Sequence, residues 1–379
     1  MSKANRINGI AMASPDISEE DVAAVLEVLR SGRLALGPKT EEFEQGIAEY
    51  VGVRHAIAVS SGTAALHLIV RALGIGQGDE VLVPSFTFAA SVNSILYEGA
   101  RPVFVDIEPD TYNIDPGDAL RKVSSKTKAI MAVDVFGHPA EWDDILSIAE
   151  RYGLLVVDDS CEALGAEYKG RRVGRFGDAA AFAFYPNKQI TTGEGGMIVT
   201  DNDDLARKAM SLRNQGRGSM GGWLEHEMLG FNYRMDEMSA ALGTSQLNRV
   251  EMLLAQRETV AGMYSMALSD VIGVRTPTVR QHVRMSWFVY VVTLDEGIDR
   301  DKVMAFLKEN GVPSRAYFSP IHTQPYIKKT VAEVESLPVT EMVASRTIAL
   351  PFSPLMTVEE VKRVVDVLKE GVERIIKEK

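Results

Sequence analysis

The sequence predicts an α/β protein in which a mostly parallel seven-stranded sheet is covered by helices and followed by a smaller C-terminal α/β region. Three observations carry this. Between about His55 and Asp201, short apolar runs alternate with amphipathic stretches, the rhythm of βα units. Several runs are apolar throughout, as strands buried on both faces are. The helical stretches stop at glycines, Gly74 and Gly153 among them, which suit the left-handed backbone just past a helix end.

The strand runs are residues 55–59, 80–83, 102–106, 128–135, 154–158, 179–184 and 197–200, with helices at 64–73 and 142–152 between them. A long helical pattern over 236–268 bridges to the second region. There the patterning predicts a strand at 288–294, a helix at 301–310, short strands near 314–318 and 347–350, and a final helix at 358–376. We therefore expect a large domain over 1–245 and a small one over 246–379. Residues 216–230 contain Gly216, Gly218, Gly221, Gly222 and Gly230, and are expected to form a mobile loop near a site or a subunit contact. No internal repeat or low-complexity tract interrupts the pattern.

At 379 residues and 46% hydrophobic content the chain can bury a large core. Its formal net charge of −11 argues against nucleic acid as a partner, because a phosphate backbone needs a basic footprint. The one cysteine, Cys161, permits no internal disulfide. No secretory signal opens the chain, and no apolar run is long enough to cross a bilayer. A cytoplasmic protein without membrane attachment is expected.

Three segments carry chemistry. In Val59-Ser60-Ser61-Gly62-Thr63-Ala64 a strand stops, small residues turn, and a helix begins. Free N–H groups and the helix dipole then favour an anion; taken alone, the segment is as readily an ordinary cap by Ser61 or Thr63. It is not the G-x-G-x-x-G dinucleotide fingerprint. In Val157-Asp158-Asp159-Ser160-Cys161-Glu162 three acids stand at the end of an apolar strand, where open α/β sheets bind ligands. A carboxylate there needs a positive partner, such as a protonated ring nitrogen; a solvated strand end is the alternative, above all for Asp158. No histidine accompanies these acids, which weakens a metal reading. In Phe184-Tyr185-Pro186-Asn187-Lys188 a strand delivers an amine into a segment rich in Pro, Thr and Gly that runs to Gly193-Glu194-Gly195-Gly196. A lone loop lysine is ordinarily solvated. With an anion cradle and a ring-nitrogen acid on neighbouring loops, it is a candidate nucleophile toward an aldehyde.

Together these motifs resemble the DegT/DnrJ/EryC1/StrS family of pyridoxal-phosphate (PLP) enzymes, of the aspartate aminotransferase-like fold type I. The likeness runs nearly end to end, from Gly37-Pro38 to the last helix, and is nearest to the perosamine-synthase-like branch. The resemblance implies an aminotransferase that moves an amino group from an amino acid, L-glutamate by analogy, to C4 of a nucleotide-linked keto-deoxyhexose for amino-sugar and polysaccharide biosynthesis. It implies PLP as cofactor and a homodimer with a shared active site. By position it implies that Lys188 binds the cofactor covalently, Asp159 pairs with its ring nitrogen, Gly62 and Thr63 bind its phosphate, and Phe88 stacks on its ring. Glu162 falls where relatives carry Gln or His near the phenolic oxygen. Asn232 resembles a residue reaching the phosphate from the second subunit, with Arg234 close by, and His322 matches a histidine near the substrate. Arg33, Arg213, Arg217, Arg234 and Arg315 are candidates for meeting a diphosphate.

Two departures stand out. Ala183 replaces a serine that bonds the phosphate in many members, a loss on the order of 1 kcal/mol. Glu162 would repel a phenolate, so it is expected to be protonated or to bond another group. Lysine at 188, where related dehydratases carry histidine, favours transfer over dehydration. The competing readings are another fold-type I PLP reaction on amino acids and a non-catalytic regulatory relative; Asp159 and Lys188 together speak against the second.

Overall fold

A computed structural model of the chain describes residues 9–218, 225–331 and 334–378. The strands of its first part are β1 (His55–Val59), β2 (Glu80–Pro84), β3 (Arg101–Val105), β4 (Thr127–Val133), β5 (Leu155–Asp159), β6 (Glu167–Tyr168), β7 (Arg171–Arg172), β8 (Ala179–Ala183) and β9 (Gly196–Thr200). Seven of them form one sheet in the order β1-β9-β8-β5-β4-β2-β3. All run parallel except β9, which pairs antiparallel with both β1 and β8. The apolar runs become these strands with end shifts of a residue or two; Val135 leaves β4 for a short 3₁₀ turn, Val135–Gly137.

The helices are α1 (Glu19–Ser31), α2 (Pro38–Val51), α3 (Gly62–Ala72), α4 (Ala89–Tyr97), α5 (Pro116–Arg121), α6 (Trp142–Tyr152), α7 (Asp203–Arg213), α8 (Glu237–Leu247), α9 (Val250–Leu268), α10 (Arg300–Glu309), α11 (Pro325–Thr330), α12 (Pro338–Arg346) and α13 (Val358–Lys377). One apolar cluster joins β1, β2, β4 and β8 to α3 around Leu66, Leu68 and Ile69; a second joins the same sheet to α2, α6, α8 and α9 around Phe43, Trp142 and Phe182. The sheet is thus covered on both faces.

The second region holds a three-stranded antiparallel sheet of β10 (Val274–Arg275), β12 (Tyr290–Leu294) and β13 (Thr347–Leu350), while β11 (Val283–Arg284) pairs with β6. A third cluster gathers Tyr264, Tyr290, Leu350 and the stripe Val361, Val364, Val365, Leu368, Val372 and Ile375 of α13, spaced as an amphipathic helix requires, and reaches Phe86, Val133 and Phe136 of the first part. Each such side chain contributes roughly 1.5–3 kcal/mol on burial. A Thr357–Glu360 capping box starts α13. The chain start joins this cluster, since Phe352 N–H donates to Met12 O at 3.0 Å.

Two expectations are corrected. The helical pattern over 236–268 is two helices, broken at Asn248-Arg249, because tertiary bonds override propensity there. Arg249 leaves helical geometry (φ −122°, ψ 18°) and donates to Asp21 Oδ2 at 2.9 Å, and Gln246 donates to the same oxygen at 2.6 Å. Burial pushes the Asp21 carboxyl up, but donors from Ser245, Ser18, Gln246 and Arg249 outweigh it and hold it below its ordinary value. Residues 314–318 are not a strand. Only Arg315 pairs, with Ala349, because the chain then turns Tyr317 and Phe318 onto Phe136, with ring centroids 6.3 and 5.4 Å away. The described ends of the glycine-rich segment pair at Arg217 and His226; Gly221 and Gly222 lie outside the described residues.

Helices α2 and α8 meet at Gly243, where an added Cβ would stand 2.7 Å from the fully buried Phe43 ring. Overpacking costs about 1–3 kcal/mol against a helix-propensity gain of about 1 kcal/mol. Gly243→Ala is therefore expected to lower the melting temperature, and an unchanged or higher melting temperature would show that this contact is loose.

Candidate active site

The C-terminal ends of β1, β2, β4, β5 and β8 open onto a cavity of about 490 Å³, the position at which open α/β sheets bind ligands. Its lining includes Gly62, Thr63, Phe88, Asp159, Glu162, Ala183 and Lys188. Seven positions singled out at the start of α3, at the ends of β5 and β8 and in the segments after β2, β5 and β8 thus face one space.

The floor is the start of α3. Ser61 caps it, accepting the Ala64 N–H at 3.1 Å, so the cap reading is correct and occupies Ser61 Oγ. The N–H groups of the first turn still point along the dipole into the cavity. Close packing explains the glycine: a Cβ at 62 would meet Ala183 Cβ at 2.7 Å and Cys161 Sγ at 2.9 Å. Burial pushes the Cys161 thiol well up, with Asp159 adding to the effect, which leaves it a poor nucleophile.

The two adjacent acids of β5 point to opposite faces, as strand alternation requires. Asp159, 5% exposed, faces the cavity and accepts from Ser91 Oγ at 2.7 Å and Cys161 N–H at 3.2 Å. Ser91 is in turn 2.8 Å from Thr87 Oγ1. Asp158 is not a solvated strand end but fully buried on the other face. It accepts from Ser160 Oγ at 2.6 Å and Gly174 N–H at 2.9 Å, and Ser160 Oγ also lies 2.7 Å from Asp134 Oδ2. Burial pushes both carboxyls up, Asp134 to about 6, and the Asp134 charge raises Asp158 further. Burial and the closeness of the two acids thus favour a proton on the pair.

Lys188 rises from the β8–β9 loop. Its Nζ lies 3.6 Å from Glu162 Oε1 and 3.8 Å from the centre of the Phe288 ring. Glu162 also accepts the Phe136 N–H at 2.9 Å. Burial pushes the Glu162 carboxyl up, although Lys188 and the Phe136 N–H oppose it. Glu162 therefore bonds other groups, as one side of the expectation has it, and burial shifts its carboxyl in the direction of the other. The Phe88 ring is 64% exposed although its neighbours Phe86 and Thr87 are buried, and it lines the cavity. Asn187 Oδ1, also on the lining residues, is buried without a hydrogen-bond partner among the described residues.

The other expected residues lie elsewhere. His322 is 4% exposed and outside the cavity. Its Nδ1 lies 2.7 Å from Ser85 Oγ and its Nε2 3.2 Å from Glu341 Oε1, so both ring nitrogens are engaged in joining β2 to α12. Asn232 is exposed, because Phe231 and Tyr233 on either side turn their rings onto His67 of α3, 4.7 and 5.9 Å away. Arg234 donates to Asn214 Oδ1 at 2.9 Å and borders a separate pocket of about 300 Å³ with Leu36, Gly37 and Arg213. None of Arg33, Arg213, Arg217, Arg234 and Arg315 lines the large cavity.

Ser91, Asn187, Phe288, Tyr317 and Phe318 border the site without having been anticipated. Ser91 stands one helical turn after Thr87 in an otherwise apolar stretch, a signal that was legible. Phe288 and Phe318 look like core residues in any reading of the sequence.

A model of the DegT/DnrJ/EryC1/StrS aminotransferase family matches residues 15–369. The chain is 41% identical over 366 residues to GDP-perosamine synthase of Caulobacter vibrioides, covering 95% of this chain and 98% of that protein. It is similar to the solved structure of DesV from S. venezuelae, with a TM-score of 0.90 and 34% identity over 97% of this chain and 100% of that one. A chain from Streptococcus pneumoniae solved in its PLP form matches with a TM-score of 0.92 and 27% identity, over 97% of this chain and 99% of the other.

Replacing Asp158 by Asn keeps the shape of the buried acid cluster and removes one proton-binding group. Carboxyls raised in the folded state contribute stability that is present below their unfolded values and lost as pH rises through the folded ones. The stability of Asp158→Asn relative to the parent is therefore expected to rise between pH 4 and pH 7. Thermal melts of both proteins across that range measure it; a flat or falling difference would mean that the pair holds no proton.

Proposed function

The chain belongs to the DegT/DnrJ/EryC1/StrS aminotransferase family and is a sugar aminotransferase that uses pyridoxal phosphate; on that premise we propose that it transfers the amino group of an amino acid, L-glutamate, to C4 of a nucleotide-linked 4-keto-6-deoxyhexose. One observation supports the reading above others: an anion cradle, a buried carboxylate, an exposed aromatic face and a lysine amine border a single cavity.

These residues fit the cofactor. The α3 start, with Gly62 and Thr63, would hold its phosphate, and Ser61 lines the same wall where Ala183 offers no hydroxyl. The Phe88 ring would cover one face. Asp159, oriented by Ser91 and the Cys161 N–H, would keep the ring nitrogen protonated. Glu162 would lie on the side of the phenolic oxygen as a neutral acid or paired with Lys188, and Asn187 Oδ1 is an acceptor awaiting a donor. The bound cofactor supplies the electron sink for amino-group transfer.

Lys188 Nζ has two tasks in this reading. It would hold the cofactor at rest, and its free amine would take a proton from the donor α-carbon. Glu162 at 3.6 Å and the Phe288 ring at 3.8 Å keep the amine inside the cavity. Donor and acceptor occupy the same space in turn, which gives ping-pong kinetics. The name of the Caulobacter relative, a GDP-perosamine synthase, supports a nucleotide-linked sugar as acceptor.

Asn232 and Arg234 belong to the same proposal as residues given to the partner's site in a homodimer, and His322 as a residue acting near the substrate. Leu26, Leu29, Leu34 and Leu36 leave large apolar side chains on the surface, and Leu36 borders the pocket of Arg234; surface of this kind is commonly covered by another chain. We further read residues 246–379 as the small domain, supported by the packing of Tyr264, Tyr290 and Leu350 against α13, although that cluster also takes in Phe86, Val133 and Phe136, and the start of α9 packs with the large sheet.

Lys188→Ala is expected to abolish turnover of glutamate with a nucleotide-linked keto sugar in a coupled assay; wild-type turnover would sink the mechanism. Mixing Lys188→Ala with Asn232→Ala chains is expected to restore activity above that of either alone, because a shared site then receives both intact residues. Activity from a monomer in light scattering, or no recovery on exchange of subunits, would overturn the shared site.

A further inference from the structure

Arg257, on α9, is 2% exposed, and among the described residues no carboxylate lies within ion-pair distance of it. Its charge is met by main-chain carbonyls instead. Nη1 donates to Trp287 O at 3.1 Å and Phe288 O at 3.3 Å, and Nη2 donates to Lys188 O at 2.5 Å and Asn187 O at 3.3 Å. Its Nε is buried without a partner among the described residues, and the Phe352 ring, 5.8 Å away, is its cation–π neighbour. Burial alone pushes the guanidinium down to about 10, still charged at neutral pH.

A buried charge held only by carbonyls is a costly way to stabilise a fold. What it gains here is geometry. The planar fork of an arginine meets two acceptors on each side, and these come from two separate segments. One carries Lys188; the other carries Phe288, whose ring lies under the Lys188 amine. The second segment is bent to fit: Trp287 has φ +54°, a left-handed backbone that bulky residues rarely adopt. A further tie runs parallel, as Gln189 Nε2 donates to Glu162 O at 2.5 Å and lies 2.9 Å from Ser286 Oγ.

We propose that Arg257 is a positioning residue for Lys188, clamping the lysine's main chain to the Phe288 segment so that the amine works from a fixed pivot. This rests on Lys188 as the amine that binds the cofactor and moves the proton. A pivot matters for the proton step, which needs alignment, more than for holding the sugar.

The test compares the holoenzyme with Arg257→Met and Arg257→Lys. Arg257→Met, folded by its circular dichroism, is expected to lose kcat by at least about 10-fold with the KM for the sugar within about threefold. Hydrogen exchange is expected to quicken at residues 186–189 and 287–288 and to stay unchanged in the remaining strands of the large sheet. Arg257→Lys, which keeps the charge but not the fork, is expected to fall between the two. A folded Arg257→Met with wild-type kcat, or with KM raised and kcat intact, would overturn the proposal. If Arg257→Met does not fold, Arg257→Lys decides it by the same split: kcat lowered at constant KM supports the pivot, and wild-type kcat refutes it. Borohydride reduction of the wild-type holoenzyme, followed by peptide mass analysis, separates the two readings. Cofactor mass on a peptide without Lys188 would refute the role of the lysine itself, independently of Arg257.

Discussion

Charge inside a low-dielectric hole constrains everything around this site. Lys188, Asp159 and Glu162 share one cavity, and each would be expensive there alone. The surroundings meet that cost group by group. A hydroxyl from α4 and a main-chain N–H serve Asp159; a turn N–H and an ammonium serve Glu162; a carboxyl and an aromatic face serve the lysine. Because those donors come from β4, β5, β8 and α4, these elements must be neighbours, and the order of the central strands achieves this.

Strand alternation then divides the labour between two adjacent acids. Asp159 looks into the cavity, while Asp158 looks below the sheet and bonds Ser160 and Gly174. The two identical side chains differ only in which face of β5 they occupy. One is left available to a ligand; the other is consumed by the fold.

Much of this was legible in the sequence, and the exceptions have physical reasons. Apolar runs marked the strands, since a strand buried on both faces leaves no other pattern, and the segments of Gly62, Asp159 and Lys188 met as expected. Short polar stretches at strand ends carry their own geometric signal. The break at Asn248-Arg249 did not announce itself, because Asp21, more than two hundred residues away, makes it. Nor did Arg257 stand out: nothing in the local sequence of α9 marks an arginine whose acceptors are distant carbonyls. His322 shows a contact that the sequence does not carry. Its alignment with a substrate histidine says nothing of Ser85 and Glu341, which hold both its nitrogens. Phe288 reads as core from the sequence and is buried, yet its ring also faces the amine of Lys188.

The reversed direction of β9 bears on how the lysine loop can change. A crossover between parallel strands must carry the chain from one end of the sheet to the other. The segment from Phe184 to Gly195 does not, because β8 ends and β9 begins at the same edge. Its two stems are hydrogen-bonded neighbours, so the segment is a closed hairpin loop whose ends stay together whatever its length. Closing a loop grows more costly only slowly as residues are added. Directly beyond Lys188 that freedom is not available, because Gln189, Ile190, Thr191 and Thr192 are buried and Gln189 is tied to Glu162 and Ser286. Length can change only near Gly193 and Glu194, where the hairpin is exposed, so the segment that carries the lysine is as fixed in length as the strands that flank it.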